Sequence, residues 1–446
     1  MRLELKDGTS NKFWEAELTR TWFDVRWGRI GSDGQKKRQR FPTAYEARQA
    51  YEKLVAEKRK KGYREPGKGA PPPSLSGPRD EKLETALRAR PDDQAEYLVF
   101  SDFLQGAGEP IGELIAVQVA LAKKKTPVLA KREKVLIKSL ALLDADLGAL
   151  TFRWGLLDSV KLENSRDWMD EQFDVRPVLE KLFGSPACVA LRELKVGVIR
   201  WDHQEKDLEA LFALAGRHAW AKSLQRLHLG DLDNVDMAHH SIGTVGRPIS
   251  AAFPGLRSLV LHSSEKSWAG GHRTFDFSGL ALPELRHLVI ETCSMNKRRL
   301  KELWAAKLPK LEGLTLWFGS DEHGVDCGVD ELAPLLEGKA FPHLRHLGLA
   351  NAEFEPEIAA ALPSSKLAPQ LESLDLSMGT LDDSHLERLV DGAKAFKKLK
   401  TLDVRENFFS KKGLAALEKA YASVDAKDQK APWEDDPAYR YVSVGE

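Results

Sequence analysis

The sequence predicts an α+β protein built from several domains, and three observations support this prediction. Residues 1–64 read as strands followed by a basic helix. Residues 65–80 are rich in Pro and Gly, which is typical of a linker. From residue 191 a leucine pattern recurs about every 30 residues, which is typical of stacked strand–helix units. The expected domains are residues 1–64, a linker at 65–80, a helical segment at 81–160, repeats at 161–424 and a C-terminal cap at 425–446.

Charge and composition restrict the classes of function. The 446 residues have no net charge, but residues 1–64 hold 17 Lys/Arg against 9 Asp/Glu. A basic segment joined to an acidic remainder indicates that only the first part meets a polyanion. The three cysteines favour a reducing compartment over a disulfide framework. Without a long apolar run or a signal peptide at the start, the expectation is a cytoplasmic protein that does not enter a membrane.

The first domain shows strand patterns and one helix. Residues 13–18 and 22–29 are rich in aromatic and β-branched side chains, and residues 31–34 have the composition of a turn. Thr43, with Glu46 three residues later, resembles a capping box. The helix predicted over 44–61 ends in a cluster of basic residues, which favours the helix dipole.

The triplet Trp27-Gly28-Arg29 carries a family resemblance. It follows Asn11-Lys12-Phe13 and precedes two glycines, a glutamine and the basic helix end. This set resembles the WGR domain, which occurs beside the catalytic domain of DNA-dependent poly(ADP-ribose) polymerases and in bacterial proteins. The resemblance implies that the tryptophan lies against the sugar at a DNA 5′ end and that the arginine contacts the backbone or relays binding. The implied nucleic-acid-binding residues are Asn11, Lys12, Trp27, Arg29, Gln35, Lys58, Lys61 and Tyr63.

Trp27 has two interpretations. An indole offers a flat stacking surface and the nearby guanidinium a fork for phosphate. Strand alternation instead places Trp27 with Phe23 and Val25, where it would belong to the core. Gly28 would allow a bulge that turns Trp27 outward. Residues 65–446 leave no room for an ADP-ribosyl transferase fold, so no such activity is inferred.

The helical segment at 81–160 contains a series from Pro91-Asp92-Asp93 to Gln118. This series resembles the bacterial repeat-companion domain that precedes leucine-rich repeats, a family with no established chemistry. Asp93 and Asp102 invite a catalytic role, but helix caps and a solvated face are the favoured interpretation.

The repeats share the pattern Leu-x-x-Leu-x-apolar. It begins at Leu191, Leu224, Leu256, Leu285, Leu311, Leu344, Leu371 and Leu399. The pattern resembles leucine-rich repeats of the ribonuclease-inhibitor-like length, which form an α/β solenoid. Alternation places the residues between the leucines on the concave sheet. We expect His287, Trp317 and His346 to form a protein-binding patch there, because aromatic side chains anchor interfaces. A metal site built from four histidines of this face is the less favoured alternative.

The sequence therefore predicts a non-enzymatic adaptor without cofactor or metal. Its WGR-like domain is expected to bind nucleic acid, including DNA ends, and its repeats to bind an unidentified protein. The alternative is a scaffold that binds only proteins. No phosphate-binding loop, zinc motif or nucleophile elbow is present in the sequence. Cys327 resembles the ligase cysteine of some bacterial leucine-rich effectors, but their catalytic domain is missing, so a buried cysteine is expected.

Overall fold

The computed structural model divides the chain into two compact units, Met1–Ser76 and Gly77–Glu446. It describes residues 2–7, 10–19, 21–30, 34–61, 63, 78–165, 173–200, 203–232, 240–264, 275–432 and 439–444. Most of the predicted linker and residues 31–33 of the predicted turn lie outside these ranges.

The first unit contains an antiparallel sheet and a helix. Its strands follow each other in chain order: β1 (Arg2–Asp7), β2 (Ser10–Thr19), β3 (Trp22–Arg29) and β4 (Gln35–Arg40). The helix is α1 (Ala44–Lys60), and Thr43 Oγ1 accepts a hydrogen bond from the Glu46 amide at 3.2 Å. The predicted helix and both predicted strands are confirmed. β1 and β4 were not predicted. All six residues of β4 are exposed and polar, so no apolar alternation marks this strand.

The helix covers one face of this sheet. Buried Ala47 and Val55 of α1 face a sheet whose fully buried side chains include Trp14 and Phe23. Tyr51 adds an edge-to-face contact with Phe23, with ring centroids 6.0 Å apart. The aromatic content of β2 and β3 therefore supplies the core of a unit that is otherwise rich in charge.

Helices begin the second unit. They are α2 (Glu81–Ala89), α3 (Gln94–Gly106), α4 (Pro110–Lys123) and α5 (Pro127–Leu140). Asp93 caps α3, because its Oδ1 accepts a hydrogen bond from the Ala95 amide at 3.0 Å. Asp102 lies on the exposed side of α3. The cap and solvated-face interpretations of these two aspartates are confirmed.

The prediction of helix throughout 81–160 is wrong at its end. Two strands, β5 (Gly148–Arg153) and β6 (Leu156–Leu162), form an antiparallel hairpin there. Trp154 and Gly155 connect them with φ of 46° and 82°, the left-handed pair that tight hairpins require. A Cβ on Gly155 would lie 2.4 Å from the Ile115 Cα, so the turn packs directly against α4.

Further strands follow the hairpin, and they are β7 (Glu193–Val196), β8 (Arg226–Leu229), β9 (Gly243–Thr244), β10 (Ser258–His262), β11 (Phe275–Asp276), β12 (His287–Glu291), β13 (Gly313–Gly319), β14 (His346–Ala352), β15 (Ser373–Asp375), β16 (Thr401–Asp403) and β17 (Val424–Asp425). In the described ranges of the second unit, eleven strands form one sheet, and β9 and β11 form a separate pair. The sheet order is β17-β16-β15-β14-β13-β12-β10-β8-β7-β6-β5, parallel except for the first hairpin. Each of the eight predicted leucine elements contributes a strand.

Helices alternate with these strands along the chain. They are α6 (Arg176–Gly184), α7 (Gln204–Ala215), α8 (Gly246–Ala252), α9 (Lys297–Ala305), α10 (Ala333–Leu336), α11 (Glu355–Ala361), α12 (Leu386–Gly392) and α13 (Lys411–Ala420). Short 3-10 helices lie at Ala145–Leu147, Pro186–Ala190, Ala219–Ser223, Asp321–His323, Val329–Leu332, Leu362–Ser364, Ala368–Gln370, Asp383–His385 and Ala393–Ala395. Among the residues that the structure describes, no helix has both the length and the apolarity needed to cross a bilayer.

A column of leucines runs through the sheet. One leucine from each of eight neighbouring strands is aligned in register, and none is more than 2% exposed: Leu194, Leu227, Leu259, Leu288, Leu314, Leu347, Leu374 and Leu402. Burying one leucine side chain stabilises a fold by about 1.5–3 kcal/mol. Since each leucine packs between its neighbours, this stabilisation arises only in the stacked sheet.

Asn407 holds the turn after β16. Its side chain is buried, donates hydrogen bonds to the carbonyls of Leu376 (2.7 Å) and Val404 (3.3 Å), and accepts one from the Leu381 amide (2.9 Å). One amide thus satisfies polar backbone groups from two neighbouring turns, where water does not reach them.

Replacing Asn407 by Ala should destabilise the second unit. Each buried polar group left without a partner costs about 1–3 kcal/mol, so we expect a loss of about 2–4 kcal/mol. Urea unfolding of the full chain measures this loss. Lys412→Ala, an exposed change on α13, is the control and should leave the midpoint nearly unchanged. A midpoint for Asn407→Ala equal to that of the control would show that the turn does not need this amide.

Lys430 is a largely buried cation near the C-terminus. Its Nζ donates to the carbonyl oxygens of Gly379 (3.0 Å) and Tyr441 (2.6 Å) and lies 4.8 Å from the centre of the Phe408 ring. Burial lowers the pKa of Lys430 to about 8, although the negative charges of Glu355 and Glu406 oppose this shift.

The depressed pKa of Lys430 predicts a pH-dependent stability. Between pH 8 and the usual lysine pKa near 10.5 the unfolded chain binds this proton more tightly than the folded chain. The contribution of Lys430 to stability therefore increases with pH in that window and is lost as the pH falls toward 8. We expect the melting temperature to rise with pH between about 8.0 and 9.5, and to rise less steeply in Lys430→Met. Identical slopes of melting temperature against pH in the two proteins would contradict the lowered pKa of Lys430.

Candidate functional site

One end of the N-terminal sheet gathers the predicted nucleic-acid-binding residues. Lys12 of β2 lies opposite Arg29 of β3, and Trp27 lies opposite Gln35 of β4. Directly opposite residues of antiparallel strands point to the same side of the sheet. Alternation places all four residues on the side that carries Trp14, the side on which α1 packs. Sequence reasoning named these four residues, and the structure brings them together.

Trp27 lies at the border of the core. It is half-buried and packs against the cluster that contains Trp14, Phe23 and Val25. The strand register is continuous through Gly28, so no bulge turns the indole outward. One side of the Trp27 ring therefore belongs to the core, as the core interpretation predicts. The exposed part of the ring lies beside the exposed Lys12 and Arg29.

The turn that follows β3 requires glycine at residue 34. Gly34 has φ of 65°, and a Cβ there would lie 2.6 Å from the Trp27 carbonyl oxygen and 2.7 Å from the Phe13 ring. The chain therefore returns closely over the end of β3. This approach positions Gln35 beside Trp27.

The end of α1 reaches the same aromatic cluster. Lys58 Nζ lies 5.4 Å from the centre of the Tyr63 ring and 5.9 Å from that of Trp14. Burial, with a contribution from the charge of Lys61, lowers the pKa of Lys58. Tyr63 packs against the core, whereas Lys61 is exposed. Asn11 lies opposite Lys6 in the β1–β2 pair, and its side chain lies outside the described part of the structure.

Sequence reasoning missed the opposite face of this sheet. Arg38 of β4 makes two 2.7 Å hydrogen bonds with Asp24, and its guanidinium lies 3.7 Å from the centre of the Trp22 ring. The hydrogen bond from Arg38 lowers the pKa of the Asp24 carboxyl. Arg26 pairs with Glu15 through one carboxylate oxygen, Oε2, which lies 2.7 Å from its Nη2. The alternation of Lys36, Arg38 and Arg40 was the available signal.

The predicted protein-binding patch lies on the large sheet. His287 and His346 are exposed and flank Gly313, with imidazole centroids 6.4 Å apart. A Cβ on Gly313 would lie 2.6 Å from His287 Nδ1, so the missing side chain makes room for this pair. Burial, followed by the nearby charge of His346, lowers the pKa of His287. His346 Nδ1 lies 2.8 Å from Ser373 Oγ.

Trp317 differs from the two histidines, because it is half-buried. It packs in a small cluster with Cys293, Met378 and Val444, and the last of these belongs to the C-terminal segment. The expected patch is therefore divided into an exposed imidazole pair and an indole that the chain itself partly covers.

Two other expectations concern metal and cysteine chemistry. His262 is buried, and its Nδ1 lies 3.0 Å from Glu291 Oε2. Across the described ranges, no group of three or more His, Cys, Asp or Glu side chains has a metal-binding arrangement. Cys327 is buried, and burial raises the pKa of its thiol to about 12, which confirms the buried-cysteine interpretation.

Comparison with solved structures supports the fold. A crystal structure of a protein from Bacteroides fragilis covers 96% of this chain and 96% of its own, with 21% identity and a TM-score of 0.53. At that identity the likeness shows the fold alone. An internalin from Listeria monocytogenes covers 57% of this chain and 71% of its own, with 18% identity and a TM-score of 0.25, which carries no structural argument.

Comparison of sequences identifies the N-terminal unit. Curated proteins gave no match to the chain. Residues 1–70 match the family model of the WGR domain. The resemblance predicted from the Trp27-Gly28-Arg29 triplet is therefore confirmed for this part of the chain.

Proposed function

We propose that the chain is a non-enzymatic adaptor whose WGR domain binds nucleic acid and whose second unit binds a protein. The observation that carries the proposal is the pairing of Lys12 with Arg29 beside the partly exposed Trp27, within residues that match the WGR family. Lys12 and Arg29 place two positive charges side by side on antiparallel strands. A nucleic-acid phosphate suits the fork of Arg29.

The proposed contact mode is directed to the backbone of the nucleic acid. Lys12, Arg29 and Lys61 supply positive charge, and the exposed side of Trp27 supplies a surface for a sugar or base. Gln35 borders this surface, and Lys58 with Tyr63 supports it from the helix end. Asn11 stays a predicted contact. By the family resemblance, the preferred ligand is DNA, including 5′ ends.

For the second unit we propose a leucine-rich-repeat solenoid of ribonuclease-inhibitor-like length, preceded by a repeat-companion segment at residues 81–160, whose helical part is α2–α5. The leucine column supports this assignment. So does Leu399-x-x-Leu402-x-Val404-x-x-Asn407, which fits the repeat signature with a buried asparagine. The exposed imidazoles of His287 and His346 are the proposed protein contact, together with Trp317. All three cysteines are buried thiols that form no disulfide, which fits a cytoplasmic location.

Nucleic-acid binding should depend on Lys12 and Arg29. We expect the full chain to bind a 5′-phosphorylated duplex at low salt, and the affinity to fall steeply as salt rises. Lys12→Gln combined with Arg29→Gln should weaken binding and reduce the slope of log K against log salt by about 1–2. Fluorescence anisotropy measures both quantities.

The control is a charge change elsewhere in the same unit. Lys53 is exposed on α1 and is not among the proposed contacts, so Lys53→Gln should bind almost as the unchanged chain does. An equal loss of affinity in Lys53→Gln would mean that net charge alone drives binding. Absence of binding by the unchanged chain would favour the alternative, a scaffold that binds only proteins.

Trp27→Ala should weaken binding in addition to loosening the core. Removing one stacked contact costs about 1–3 kcal/mol of binding. Val25→Ala is the matched variant, because Val25 lies on the same strand and face but is buried. Both variants should increase hydrogen exchange in β2 and β3, and only Trp27→Ala should lose affinity while folded. Equal affinities of the two folded variants would place Trp27 in the core alone.

A further inference from the structure

The C-terminal segment 439–444 lies along the end of the large sheet. Exposure alternates within it, since Tyr439 and Tyr441 are 63% and 40% exposed whereas Val442 and Val444 are 6% and 7% exposed. This pattern is typical of an extended chain with one side buried. We call the surface that receives it, formed by Trp317, Asn351, Met378 and Lys430, the tail groove.

The tail groove binds main-chain atoms. The Asn351 side chain donates to the Val444 carbonyl oxygen at 2.6 Å and accepts from the Val444 amide at 2.8 Å. The Ser443 amide donates to the Met378 carbonyl oxygen at 3.0 Å. Contacts of this kind recognise an extended backbone whatever its side chains, as in strand addition.

Three side chains of the tail make contacts: Arg440 forms an ion pair with Asp382, Tyr441 packs edge-to-face on Phe408, and Val444 enters a small pocket. Val444 packs against Cys293, Trp317 and Met378. The pocket is apolar and is filled by a β-branched side chain. Any extended chain that carries such a residue at this position satisfies the same contacts.

Asn351 and Met378 are positioned by the sheet and its turns and not by the tail. Asn351 and Met378 hold φ of 55° and 65°, and their amides donate to the carbonyls of Ser377 and Arg405. Left-handed conformations are unfavourable for a residue such as methionine, and they persist where the surrounding structure fixes them. The groups that contact the tail are therefore fixed by hydrogen bonds between neighbouring turns.

We propose that the tail groove is a peptide-binding site, which residues 439–444 occupy in competition with an extended segment of a partner protein. The segment that fits carries β-branched aliphatic residues at the positions of Val442 and Val444. This inference rests on the proposed protein-binding role of the second unit. A tethered tail acts at an effective concentration near the millimolar range, so a partner needs contacts beyond the groove to displace it. The exposed pair His287 and His346 lies on the same sheet and supplies such contacts.

The test frees the groove by a point change in the full chain. Val444→Asp places a charge in the apolar pocket and should release the tail. The released chain should then bind a labelled peptide of residues 439–444 with blocked ends, measured by anisotropy. The unchanged chain and the matched control Tyr439→Asp should bind this peptide at least about tenfold more weakly. Adding Asn351→Ala to Val444→Asp should again reduce peptide affinity about tenfold.

The other outcomes overturn the proposal. A folded Val444→Asp chain that does not bind the peptide up to about 1 mM would show that the groove accepts only a tethered segment. Unfolding of Val444→Asp, seen by circular dichroism, would show that the tail is part of the folded core and does not exchange with a partner. If capture of a protein partner still depends on His287 and His346, then only the groove assignment fails and the adaptor role stands.

Discussion

The in-register leucine column is the constraint on which the second unit depends. Each of its side chains is buried only because a neighbouring strand supplies the adjacent one, so one unit of strand and helix has no core of its own. The same register also aligns the residues between the leucines. His287, Gly313 and His346 lie side by side because the residue after each is an aligned leucine: Leu288, Leu314 and Leu347. Packing on one face of the sheet thus determines the chemistry that the other face presents.

In the N-terminal unit, by contrast, the core and the candidate site share a residue. Trp27 closes the aromatic core on one side and borders Lys12 and Arg29 on the other. A large ring packed on one side loses little further freedom when a ligand covers the other, which favours binding. The charges beside it lie at the strand ends, where their solvation is retained. This arrangement allows a domain of about 70 residues to be both folded and strongly basic.

Sequence patterns predicted those elements whose signal is local. The leucine elements, the strands β2 and β3, and α1 are marked by apolar periodicity, and the four residues at the sheet end lie close to the triplet in sequence. β4 has no such mark, because its residues are all polar and only pairing with β3 defines it. The hairpin at 148–162 follows four helices, and its apolar residues fit either periodicity. Asn407 is polar and lies outside the leucine pattern, so its buried position follows only from the hydrogen bonds of the folded turns.

The tail could not be anticipated for a different reason, since its partner atoms lie far away in sequence. Asn351 and Val444 are 93 residues apart. During synthesis at typical rates of about 5–20 residues per second, Asn351 precedes Val444 by roughly 5–19 s, whereas Lys430, which completes the groove, precedes it by only about 1–3 s. Asn351 and Met378 are fixed only after the following turns have been made, because their amides donate to the carbonyls of Ser377 and Arg405. In a newly made chain the peptide site is therefore completed only shortly before residues 439–444 can occupy it.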